Sequence, residues 1–184
     1  NPSYPYTSNS VTITGNTFSP SNNYYYWFYD WDLGYNSQSR LRTDAYPNTG
    51  NGAATMDRTS SSSTHTSSNF LTFTLDMSSY SVTDPNIALD FDVLRHGDED
   101  HDSDRCWIRG DSTMPWIEVA NLLTETTTNG TYVTVTNDIT GLLAADGQDF
   151  SDEFQIRFGQ RDDYSATSLT QSDGYSFDNV NLYM

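Results

Sequence analysis

A two-residue alternation of apolar and polar side chains recurs along this chain, and no stretch sustains a helical period. Leu71, Phe73 and Leu75 share one parity, as do Ile87, Leu89, Phe91 and Val93, and again Phe154, Ile156 and Phe158. Successive strand side chains point to opposite faces, so each row reads as the core face of a strand. Clusters of Gly, Asn, Asp and Ser separate the runs. The pattern predicts strands over 10–15, 24–31, 70–76, 87–94, 105–110, 116–120, 131–136, 153–159 and 175–183. That number and spacing predict an all-β fold, an antiparallel β-sandwich of the jelly-roll kind. A length of 184 residues suits a single domain spanning 1–184. Asp138 to Leu143 reads as one short helical turn, with Asp138 as N-cap and Ile139, Leu142 and Leu143 on its apolar side. Residues 36–69 are polar and include the hydroxyl-rich run Thr59 to Thr64. They read as a long surface excursion with room for one edge strand near Ala53–Arg58.

Charge narrows the partners. The net charge is −17, and all eight cations are arginines. Such a surface repels nucleic acid and anionic membranes, and suits divalent cations, high salt or a glycan-coated exterior. No long apolar run is present, so neither membrane insertion nor a remaining signal segment is expected, and the expected setting is extracellular or at a cell surface. Cys106 is the sole cysteine, which excludes an intrachain disulfide. Its strand-like neighbours Trp107 and Ile108 point to burial rather than to a catalytic thiol or a metal ligand.

The final run, Gly174 to Tyr183, raises a specific question. Val180 and Leu182 form its aliphatic pair, and the same parity turns Asp178 inward. A buried carboxylate needs a cation, an Arg or several backbone donors. Calcium is one answer, and hydrogen bonds from nearby amides are the other. The densest acidic run, Asp98, Asp100, Asp102 and Asp104 with His96 and His101 around it, offers hard oxygens on a loop, which favours calcium over zinc. It is not an EF-hand, because Ser103 and Arg109 stand where the required Gly and Glu would be. A solvated acidic hairpin is the plain alternative. Asp30 and Asp32 form a further acidic pair, and Arg161-Asp162-Asp163 with Ser172-Asp173 another cluster.

Outward parity places Asp90 and Asp92, then Arg105, Trp107 and Arg109, then Gln155 and Arg157 opposite the core rows. On a shared sheet they would form either a cross-strand ion ladder or a sugar-binding face of planar polar groups and an aromatic platform. The run Tyr24 to Tyr29 leaves aromatics on both faces, so Tyr25, Trp27, Tyr29 and Trp31 are either core residues or an exposed binding patch. Enzyme motifs are scarce: there is no Gly-x-Ser-x-Gly, phosphate loop or His-Glu-x-x-His.

The order of Leu71–Leu75, Ile87–Val93, Asp104-Arg105-Cys106-Trp107-Ile108, Pro115-Trp116-Ile117, Gly147-Gln148-Asp149-Phe150, Phe154–Phe158 and Asp173 to Val180 resembles the MAM-like jelly rolls of bacterial surface proteins, cleaved-adhesin domains among them. It is also similar to calcium-binding jelly-roll carbohydrate-binding modules. The resemblance covers roughly residues 68–184, and more weakly 24–34. It implies an adhesive or accessory role and a structural calcium, with Asp178 as ligand and Asp30 or Asp32 as the partner region. Asn179 departs from the family's common Asp-Asp, and fold alone does not give function.

The expected protein is therefore a non-catalytic, calcium-binding extracellular module that binds carbohydrate or mediates adhesion. Trp107, Arg109, Gln155, Arg157 or the Tyr25–Trp31 aromatics would make the contacts. The competing expectation is a subunit that associates with identical copies into a filament or surface layer. A polysaccharide-active enzyme is the distant third.

Overall fold

The computed structural model describes residues 6–8, 11–13, 30–31, 39–58, 67–84, 86–97, 101–162 and 173–184. In chain order its strands are β1 (Tyr6–Ser8), β2 (Val11–Ile13), β3 (Asp30–Trp31), β4 (Ser39–Ala45), β5 (Ala53–Arg58), β6 (Ser67–Leu75), β7 (Ala88–Arg95), β8 (Arg105–Arg109), β9 (Ile117–Asn121), β10 (Tyr132–Asp138), β11 (Phe154–Asp162) and β12 (Tyr175–Tyr183). Two short helices, α1 (Leu122–Glu125) and α2 (Ile139–Ala145), complete the described elements. The architecture is all-β. One five-stranded sheet has the order β10-β7-β12-β5-β4 and a second has the order β3-β6-β11-β8-β9, while β1 and β2 pair with each other. Every pairing is antiparallel.

The alternating rows set the core. Leu71, Phe73 and Leu75 register with Phe158, Ile156 and Phe154 across β6 and β11. Leu89, Phe91 and Val93 of β7 line the facing sheet and are fully buried. The sheets meet through aromatic rings: Phe158 lies 4.9 Å from Phe91 and 4.6 Å from Phe177, centroid to centroid. Full burial of each such side chain stabilises by roughly 1.5–3 kcal/mol. Cys106 is buried in the same core, where desolvation pushes its thiol well above the ordinary range. The helical turn forms as expected: the Asp138 carboxylate accepts the Gly141 amide at 3.0 Å, and Ile139 and Leu143 are buried.

Three expectations are corrected. Residues 39–58 are not a surface excursion, because β4 and β5 both join the first sheet. β5 lies inside that sheet, between β12 and β4, and is buried on both faces. Its polar residues Thr55 and Asp57 are buried and paired, Thr55 with Ser176 and the Ala45 carbonyl and Asp57 with Arg42. Second, the Asp row and the Arg row belong to different sheets: Asp90 and Asp92 lie on β7, whereas Arg105, Trp107, Arg109, Gln155 and Arg157 lie on β8 and β11. An Asp–Arg ladder across one sheet is therefore excluded. Third, β12 does not keep one parity. Its register with β7 shifts between Asp178 and Asn181, and Asn179 has φ 49°. The bulge lets Tyr175 and Phe177 face the core before it and Val180 and Leu182 after it. Asp178 is thereby turned to the outer face.

No helix among the described residues is long and apolar enough to cross a membrane.

Candidate functional site

The outer face of the second sheet gathers four of the side chains that the sequence singled out. Arg109 stands opposite Gln155, and Trp107 opposite Arg157, across the β8–β11 pair. Arg109 Nε donates to Gln155 Oε1 at 2.7 Å, and Gln155 Nε2 donates to Thr74 Oγ1 at 2.9 Å. Arg157 Nε donates to Thr72 Oγ1 at 3.0 Å. Sequence reasoning missed the residue that joins them. Trp116, just before β9, lies against both guanidiniums, with its ring centroid 4.3 Å from Arg109 Cζ and 4.1 Å from Arg157 Cζ. Each contact contributes about 0.5–1 kcal/mol at a partly exposed site. Arg157 also lies over Phe70 (5.2 Å), which in turn packs on Trp107. No local signal in the sequence brings Trp116 to Arg157; the strand order β11-β8-β9 does so.

Gly159 makes room for this face. A Cβ there would lie 2.6 Å from the Trp107 ring and 2.8 Å from the Ser103 carbonyl. Arg109 is bonded only to Gln155 and, through Nη1, to the Met114 carbonyl, so its Nη2 is not engaged among the described residues. The surface thus combines a half-buried indole, two fixed guanidiniums, an amide and two hydroxyls. It can hydrogen-bond a polyol or an acid group and stack against a flat apolar face.

The outer face of the first sheet carries a different network. Asp178 Oδ2 accepts the backbone amides of Asn48 and Thr49, each at 2.9 Å, and Oδ1 accepts that of Asn179 at 2.8 Å. Asp92 accepts from Thr134, Asn48 and Asn179 side chains. Burial pushes the Asp92 carboxyl up, but these three donors outweigh it and the net shift is downward. Nearby, His96 Nε2 lies 2.9 Å from Ser176 Oγ, which is also 2.7 Å from Thr55 Oγ1. Asp57 and Arg42 act on the His96 imidazole electrostatically in opposite directions. Ser176 is wholly buried and its hydroxyl is shared with Thr55.

Of the acidic residues expected to bind calcium, Asp102, Asp104 and Asp178 have described side chains, and Asp104 and Asp178 each accept backbone amides. Asp104 is buried and serves the backbone: Oδ1 accepts the Arg161 amide at 2.8 Å and Oδ2 the His101 amide at 2.9 Å. Burial raises its carboxyl despite those bonds. Asp102 is exposed. Asp32, Asp98, Asp100, Tyr25, Trp27 and Tyr29 lie outside the described residues, and Asp30 and Trp31 are described only as the backbone of β3. Among the described residues, no three His, Cys, Asp or Glu side chains gather as a metal-holding group. In the further acidic cluster that the sequence offered, Asp162, fully buried at the end of β11, is pushed up to about 8 by burial and by the charges of Asp173 and Asp57, against pulls from Gln160 and Arg58.

Beyond Phe177, β12 has no partner on its β5 side among the described residues. A cleft of about 1170 Å³ opens there, between Ala54, Phe177, Val180 and Leu182 of one sheet and Phe73, Leu75 and Ile156 of the other.

No protein-family model matches the chain, and no curated protein is significantly similar to it.

Proposed function

We propose that this protein is a non-catalytic, extracellular jelly-roll module that binds carbohydrate at a surface through the outer face of the second sheet. The observation that carries the reading is Trp116 held against Arg109 and Arg157, flanked by Gln155, Thr72 and Thr74. Sugars present both hydroxyl edges and apolar ring faces, and this surface offers a fixed partner for each. Arginine concentrated on one face of a strongly acidic chain, with Arg109 Nη2 uncommitted, favours glycans that carry carboxylate or sulfate groups. The reading also draws on the sequence resemblance to MAM-like and cleaved-adhesin domains. Binding to a panel of neutral, uronate-containing and sulfated polysaccharides by affinity electrophoresis tests it. Retardation by an acidic glycan that Trp116→Ala abolishes is expected; no retardation by any member defeats the reading.

One observation favours self-association as a second reading. Among the described residues the β5 side of β12 beyond Phe177 is unpaired and borders an apolar cleft, an arrangement that accepts an added strand from another copy. Regular polymers in electron micrographs of the protein, without sugar, would bring this reading forward.

A further inference from the structure

The turn that leads into β10 carries the triplet Asn129-Gly130-Thr131, the acceptor pattern for N-linked glycans, and the sequence holds that pattern nowhere else. All three residues are exposed. Gly130 takes φ 72°, which sets the turn, and a Cβ built on it meets nothing within 4 Å. Arg95, at the end of β7, anchors the turn. Its Nε donates to Asn129 Oδ1 at 2.7 Å, and its carbonyl accepts the Gly130 amide at 2.8 Å. Asn129 Nδ2 and the Thr131 hydroxyl have no partner among the described residues. The nitrogen that would take a sugar, and the hydroxyl that defines the triplet, are therefore both uncommitted.

The strand that follows has an open side. β10 ends the first sheet: it pairs with β7 along its whole length and with no second strand among the described residues. In an antiparallel pair, alternate residues turn their amides and carbonyls away from the partner, so this edge is a template for a further strand. Its sequence does little to prevent that. No charged residue stands between Glu125 and Asp138, the last residue of β10, and Tyr132-Val133-Thr134-Val135-Thr136 is aromatic or β-branched throughout. Its register with β7 runs without a bulge. The other sheet ends differ: β4 carries Arg40, Arg42 and Asp44, β9 carries Glu118, and β3 is two residues long and begins on Asp30. The sheet end with the longest uncharged run is thus the one that the acceptor triplet precedes.

We propose that Asn129 is an N-glycosylation acceptor and that its glycan covers the open edge of β10. The donor is an oligosaccharide carried on a lipid pyrophosphate. Asn129 Nδ2 bonds to the anomeric carbon, the carbon–oxygen bond to the pyrophosphate breaks, the lipid pyrophosphate leaves, and Nδ2 gives up one proton. A hydrated oligosaccharide at the head of β10 hinders edge-to-edge pairing, as charge does on β4. The reaction takes place in a secretory compartment, so the proposal rests on the extracellular setting argued above. It does not involve the Trp116 face, which belongs to the other sheet.

The test weighs the whole chain by intact mass spectrometry after secretion from a eukaryotic cell line that attaches N-glycans. A mass increase of one oligosaccharide is expected, removed by peptide N-glycosidase and absent from Asn129→Gln and Thr131→Ala. Thr131→Ser, which keeps the hydroxyl, should retain it. Sedimentation then compares the glycosidase-treated protein with the untreated one, so the bare chain is obtained even where a variant fails to fold. The bare chain should self-associate at concentrations where the glycosylated chain stays monomeric, and Thr136→Lys, which puts a charge on β10, should reverse this. Two results overturn the proposal: secreted protein with the mass of the bare chain, or glycosidase-treated protein no more associated than the glycosylated form. Secretion is imposed by the host, so an unmodified chain refutes the acceptor and leaves the extracellular reading standing. Polysaccharide retardation of the same preparations reports separately on the Trp116 face.

Discussion

Asp92 and Asp178 stand directly opposite one another across the β7–β12 pair. Two carboxylates in that relation repel each other, and the fold answers with hydrogen-bond donors rather than a counter-charge. Asn48 serves both: its backbone amide donates to Asp178 and its side-chain amide to Asp92. Asn179, in its left-handed conformation at the bulge, likewise donates by its backbone to Asp178 and by its side chain to Asp92. The turn between β4 and β5 is thus tied to the last strand through one carboxylate pair.

Asp178→Ala strands the amides of Asn48 and Thr49. A loss of about 1–3 kcal/mol in urea unfolding is expected, equal in calcium and in chelator. A loss seen only in calcium would make Asp178 a metal ligand after all.

Trp116→Ala removes the platform shared by Arg109 and Arg157 while leaving the core intact. Glycan retardation should disappear, with a stability cost of no more than about 1–2 kcal/mol, the sum of two cation–π contacts. Arg109→Lys should weaken binding of acidic glycans more than neutral ones, because lysine keeps the charge but loses the planar fork. Full binding by the Trp116→Ala protein would remove this face from consideration.

His96 links stability to pH. Burial holds its imidazole down to about 4, with Arg42 acting in the same direction and Asp57 against it. The unfolded chain protonates near 6.5, so between about 4 and 6.5 it binds more protons than the folded one. The stability from neutral His96 is complete above pH 6.5 and falls away as pH drops towards 4, by roughly 3 kcal/mol in all. Urea midpoints from pH 7 to 4 should show the decline, and His96→Gln should remove that share of it. An identical decline in His96→Gln would assign the whole effect to carboxylates.

Gly159→Ala tests how tightly the outer face of the second sheet is packed. The Trp107 ring can shift, but the Ser103 carbonyl is backbone and the new methyl would meet it at 2.8 Å. Destabilisation of about 1–3 kcal/mol is expected, together with altered tryptophan fluorescence. Unchanged stability and emission would show that the Ser103 turn yields.

Core rows were legible because strand periodicity is local: Leu71-x-Phe73-x-Leu75 states its own face, and its pairing with Phe158, Ile156 and Phe154 follows. The N-cap at Asp138 was legible for the same reason. The strand at Ala53–Arg58 was legible too, but its place inside the sheet was not, since Thr55, Asp57 and Arg58 look solvated until the partners that bury them are in place. Nor was the turning of Asp178, because one bulge residue reverses every parity beyond it.

By itself, then, the sequence determined the all-β class, the inward faces of β6, β7 and β11 and the burial of Cys106, all consequences of alternation and burial within a few residues. Tertiary structure alone decided which strands share a sheet. That choice separated the Asp row from the Arg row and set Trp116 against Arg109 and Arg157. Such contacts depend on the registers of strands distant in the chain, which a local pattern of side chains does not encode.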